Sequence, residues 1–201
     1  MYFARLLLTS TSIVLQCSTA NPAFYLNPSA QHCRIVEQFC TQVPPALTGR
    51  RTVLIRIVSP RTLRTDACSS SRAALDTLGT IDGYYHSGGS LLEADCEIEL
   101  SSSLSGNKLR MVLAHEFGHF VWFERMTSDE RRTYRVLWRH DMHTNSVVTR
   151  YAQESPKEGF AEAFSWYLYR NARLKHIDRA SWGYLRRLVQ SLESDDEGAS
   201  G

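Results

Sequence analysis

The chain lacks a CxxC pair, an internal repeat, a cluster of basic residues and an apolar run long enough to span a bilayer comfortably. Without CxxC spacing there is no support for a cysteine zinc site, and without a repeat there is none for a solenoid. The formal net charge is +2, and although arginine far outnumbers lysine the basic residues are interspersed with acids. That distribution argues against a nucleic-acid partner. The lack of a long apolar segment argues against stable membrane insertion. What remains is 201 residues with 43% hydrophobic content, enough for one compact domain with a sizeable core.

Residues 1–20 read as an export signal. Arg5 supplies a positive start, Leu6 to Leu15 a short apolar core interrupted by Thr and Ser, and Ser18-Thr19-Ala20 a small-residue cleavage site before Asn21. The expected localisation is therefore secreted or periplasmic. Cleavage removes Cys17 and leaves Cys33, Cys40, Cys68 and Cys96, an even number in an exported chain, so two disulfides are expected. If His32 to Val43 is one helix, Cys33 and Cys40 lie about 10 Å apart along its axis and must bond to Cys68 and Cys96.

The order of elements predicts an α+β fold. Pro44-Pro45 and Gly49 mark a linker after the first helix, Arg51 to Val58 a strand with one face on the core, and Asp66 to Leu78 a helix ended by Gly79. Ile81 to Gly89 is turn-rich, and Leu91 to Leu100 reads as a strand that could offer an edge to an extended peptide. Helices follow at about 107–126, 128–140, 156–171 and 177–192, with Asp141 to Ser155 as a loop and an acidic, disordered tail over 194–201. A single domain spans 21–193. A cleft between the strand-containing part and the helical part would put the 107–126 helix at its floor.

That helix carries His115-Glu116-Phe117-Gly118-His119, an HExxH motif. Residues four apart share one face of a helix, so both imidazoles can reach one metal ion, with zinc the expected cofactor. Glu116 then points toward the open coordination position, where a carboxylate can take a proton from water. Gly118 allows close helix packing near the metal. A third ligand is needed. The metzincin pattern fails, because Trp122 and Arg125 stand where glycine and histidine are required. His140, Asp141 and His143 offer one alternative. Glu158 and Glu162 offer another: four apart on one face of an otherwise apolar helix, they need compensation.

Taken together, His115-Glu-Phe-Gly-His119, Tyr151 and Glu158-Gly-Phe-Ala-Glu-Ala-Phe164 resemble the gluzincin active site of the anthrax lethal factor catalytic domain and of the small secreted Pro-Pro endopeptidases. The resemblance covers roughly 110–169. It implies a zincin-like domain with one zinc ion held by His115, His119 and Glu158. Glu116 would be the general base, Tyr151 the partner of the oxyanion, and Glu162 a carboxylate that orients a histidine ligand. The implied activity is that of an exported, monomeric zinc endopeptidase that hydrolyses a peptide or protein substrate by Glu-assisted attack of zinc-bound water. Two other readings stay open: a non-catalytic exported binding or toxin-like module with a structural or vestigial zinc site, and zinc-dependent hydrolysis of a non-peptide amide.

Overall fold

The computed structural model describes residues 4–7, 13–17, 29–49, 51, 53–63, 82–87 and 95–198. In chain order its strands are β1 (Ala4–Leu7), β2 (Ile13–Cys17), β3 (Val53–Val58), β4 (Gly83–Ser87) and β5 (Cys96–Ser101). The helices are α1 (Ala30–Gln42), α2 (Pro45–Thr48), α3 (Gly106–Phe120), α4 (Ser128–Thr144), α5 (Pro156–Tyr169), α6 (Asn171–Ile177) and α7 (Arg179–Gly198). The class is α+β and mostly helical.

The body of the sheet is β3-β5-β4, with β3 parallel to β5 and β4 antiparallel to it. The antiparallel pair β1 and β2 extends it, giving the order β1-β2-β3-β5-β4. Both added strands fall within residues 1–20, and β2 pairs with β3 from Ile13↔Val53 to Leu15↔Ile55. A chain processed after Ala20 would keep β3-β5-β4 and leave that part of β3 without its neighbour.

Strand alternation assigns Val53, Ile55, Ile57, Ile98 and Leu100 to one face, where they join Leu109, Leu113, Phe117 and Phe120 of α3 in the main core. Phe39 of α1 meets Phe117 edge to face at 5.2 Å, and Phe164 of α5 lies 6.1 Å from the same ring. The motif helix is thus held between sheet and helices by large apolar side chains, each worth about 1.5–3 kcal/mol when fully buried. Glycine tightens this packing as expected: a Cβ on Gly118 would stand 2.8 Å from Ala161 Cα on α5.

Several expectations are corrected. β3 buries both faces, not one: Leu54 and Val58 are as buried as Val53 and Ile55, and Arg56 pairs with the buried Glu97 and Glu99 of β5. Burial on both faces is normal for parallel pairing. The turn-rich segment around Tyr84, Tyr85 and His86 is the strand β4, because alternation sends Tyr85 to the main core and Tyr84 to a smaller cluster with Val58 and Leu63. Pro45 starts the helical turn α2 where a linker was expected, its fixed φ suiting a first turn.

Residues 141–144 continue α4, which ends only at Asn145 in the left-handed region (φ 55°). A short helix, α6, occupies the gap expected between the last two helices, and α7 begins at Arg179 and runs on to Gly198 through the start of the expected tail. Cys40 and Cys96 are buried free thiols, so the expected four-cysteine pairing is not formed. Cys68 and the expected helix at Asp66 to Leu78 lie outside the described residues.

Candidate metal centre

Two helices build the site. α3 contributes His115, Glu116 and His119 from its buried second half. α5 begins at Ser155, whose side chain accepts a hydrogen bond from the Glu158 backbone N–H, with Pro156 in the first turn. That cap places Glu158 in the first turn, where the helix dipole favours an anion.

His115, His119 and Glu158 form a buried group whose ligand atoms all lie within 4.8 Å of one another, and which can bind a metal ion. Glu158 Oε2 stands 3.3 Å from His115 Nε2 and 3.1 Å from His119 Nε2. Two ligands each about 2.0 Å from a tetrahedral ion stand about 3.3 Å apart, so the two distances from Glu158 fit such an ion. The polar bookkeeping fits as well. Neither Glu158 oxygen makes a hydrogen bond of good geometry among the described residues, although the residue is only 2% exposed, and Oε1 has Lys157 Nζ at 3.5 Å as an ion-pair neighbour. Buried polar atoms left open in this way are costly without a partner.

Electrostatics keep the ligands poised. Burial alone would raise the Glu158 pKa, but the imidazoles of His115 and His119 hold it far below the usual carboxylate range. Burial would lower the His115 pKa; the carboxylates of Glu158 and Glu162 push it up instead. His115 Nδ1 and Glu162 Oε1 are 2.8 Å apart, a hydrogen bond that fixes the ring and leaves Nε2 facing Glu158.

Glu116 is 7% exposed, and burial raises its pKa, opposed by the two histidines. Its side chain rests against the backbone of β4. A Cβ on Gly83 would come within 2.8 Å of both Glu116 Cγ and Oε1, so only glycine leaves room there. Tyr151 lies on a 3₁₀ turn, Tyr151–Gln153, with its ring 5.6 Å from that of His115. Burial, with the charges of Glu158 and Glu116, raises its pKa, so the hydroxyl remains a donor at neutral pH.

The residues expected to act together are therefore brought together: His115, Glu116, His119, Tyr151, Glu158 and Glu162. The alternative ligands are not. His140 is exposed on α4 beside Asp141, whose carboxylate turns toward Ser181, and neither they nor His143 joins the metal group. The edge role expected of the strand at Leu91 to Leu100 is also corrected, because β5 is paired on both sides and the strand at the end of the order beside Glu116 is β4.

Sequence reasoning missed Gly83 and the wide turn that follows His119. Glycine next to an alternating Tyr-Tyr-His run was a signal for the first. The second, a π turn over Val121–Arg125, had no visible signal. Comparison with protein-family models and with characterised proteins finds no match to this chain.

Proposed function

We propose that the chain is a zinc-dependent endopeptidase of gluzincin type, exported from the cell. The observation that carries this reading is the convergence of both HExxH imidazoles on Glu158, with Glu116 alongside and outside the ligand group. A purely structural site needs no such neighbour and no open position. Two nitrogens and one carboxylate oxygen suit zinc, and this three-ligand set is one that catalytic zinc uses.

Zinc, when bound by His115, His119 and Glu158, supplies Lewis-acid polarisation and lowers the pKa of water toward neutrality. The rest falls to the chain. Glu116, its pKa raised by burial, takes the proton from the attacking water on its carboxylate and returns it to the leaving amine. The Tyr151 hydroxyl donates a hydrogen bond to the carbonyl oxygen as negative charge develops there, and keeps its proton. Glu162 holds His115 in one orientation. Among the described residues β4 is the end strand of the sheet beside Glu116, where an extended peptide would run alongside the scissile bond's position.

The test combines metal analysis with a peptide library. The purified chain is expected to carry one zinc per molecule and to cleave peptides, with chelator abolishing cleavage and added zinc restoring it. Stoichiometric zinc without cleavage of any peptide would overturn the peptidase reading in favour of a non-catalytic site.

A further inference from the structure

Among the described residues only two large apolar side chains are exposed, Phe123 and Val136. Val136 lies on α4, 61% exposed, and no group of the metal centre meets it. Phe123 is different. Its ring centroid is 6.5 Å from that of His119, and its other neighbour is Tyr85 of β4, stacked nearly parallel at 5.9 Å with an interplanar angle of 5°.

The backbone accounts for this placement. Phe123 stands four residues after His119, on the same face, in the π turn that continues α3. The ring is also held from below. Tyr85 donates its hydroxyl to Glu124 Oε1 at 2.9 Å and packs on Phe120, which ties β4 to the π turn on both sides of Phe123. An exposed aromatic ring on such a base is a fixed wall, not a loose surface side chain.

We infer that Phe123 is the specificity-determining residue of the proposed peptidase, its exposed ring selecting a large apolar side chain next to the scissile bond. The inference rests on the metallopeptidase reading. An extended peptide advances about 3.3 Å per residue. A ring 6.5 Å from a ligand imidazole therefore meets a side chain within about two residues of the bond being cut. Among the described residues the rings that meet it are those of Tyr85 and His119, and no ammonium or guanidinium lies over it to favour an acidic side chain. An apolar one gains by covering the ring from water.

The test is cleavage-site profiling with a mixed peptide pool, zinc-loaded protein and mass-spectrometric readout, on wild type, Phe123→Lys, Phe123→Leu and Val136→Lys. Wild type should enrich Phe, Tyr, Leu or Met at one position within two residues of the cut. Phe123→Lys should lower kcat/KM for those peptides by roughly 10-fold or more relative to peptides with Asp or Glu at that position. Phe123→Leu and Val136→Lys should keep the wild-type profile. Should Phe123→Lys misfold by circular dichroism, Phe123→Ser reads the same position and must flatten the preference. A lysine or serine profile superimposable on wild type overturns the assignment of Phe123 alone. Failure of wild type to cleave any peptide overturns the peptidase reading, and this assignment with it.

Discussion

Two buried polar clusters flank α5, and they resolve the cost of burial in opposite ways. In the metal centre, Glu158 and Glu162 face histidines, and their pKa values are held below the ordinary carboxylate value despite burial. In the second cluster, Asp141 of α4 and Asp178 at the start of α7 face Ser181 and Tyr134, and burial pushes both carboxyls up, Asp141 to about 6. The second cluster closes on itself. Asp178 Oδ1 accepts the Ser181 backbone N–H at 2.8 Å, Ser181 Oγ donates to Asp141 Oδ2 at 3.4 Å, and none of the four residues keeps an unpartnered buried side-chain atom. The metal centre keeps three, on Glu158 and His119. Burial alone thus does not separate the two; histidines around carboxylates held in their charged form set apart the group that could hold a cation.

The sharpest way to break this contrast is to remove Glu116, the acid beside the candidate ligand group that is proposed to take the proton from water. Glu116→Ala should lower kcat by about 10²–10⁴-fold while zinc content and the circular dichroism spectrum stay unchanged. Asp141→Asn should leave kcat near wild type. A Glu116→Ala protein with full activity would end the proposed mechanism, and an equal loss from Asp141→Asn would erase the distinction between the clusters.

Next in size are the changes to metal binding. Glu158→Ala removes the oxygen that both Nε2 atoms face, so the protein should lose most of its zinc on dialysis. Glu162→Gln leaves the ligands in place but weakens the hold on His115, and should raise the zinc dissociation constant by about 10–100-fold. Competition with a chromogenic chelator measures both. Unchanged affinity in Glu158→Ala would remove that residue from the ligand set.

Much of the metal centre was legible because its logic is local. HExxH spacing is a statement about one turn of helix, and Ser155-Pro156 ahead of Glu158 is a statement about a helix start, so both could be read without knowing the fold. Gly83 and Phe123 matter through contacts between distant elements. Gly83 makes room for a side chain 33 positions later in the chain, and its strand is five residues long, too short for periodicity to outweigh a glycine next to aromatics. The burial of both sheet faces was hidden for a related reason, since Glu97 and Glu99 look solvent-facing until Arg56 is paired across from them. The closed cluster was missed because Asp141 and Ser181 are forty residues apart on separate helices, and Asp141 was read as part of a loop.

The smallest effect is on stability, and it tests the closed cluster directly. The folded pKa of Asp141, about 6, lies above the ordinary 3.8, so folding favours its neutral form. Its contribution to stability is fully present below about pH 4 and is lost as pH rises through about 6. The groups facing this carboxyl are Asp178, Ser181 and His140, and the Coulombic effect of Asp178 adds to burial in raising its pKa, while His140 and Ser181 oppose it. Asn carries no proton to lose, so Asp141→Asn should match wild type near pH 4 and exceed it at pH 7.5. A shift of this size corresponds to at most about 3 kcal/mol, and the exposed His140 pairing lost in the variant costs little. Chemical denaturation of metal-free wild type and variant between pH 4 and 8 measures the difference directly. A gap that does not grow with pH would mean that Asp141 is ionised in the folded protein throughout, and that the second cluster, like the first, holds a charge.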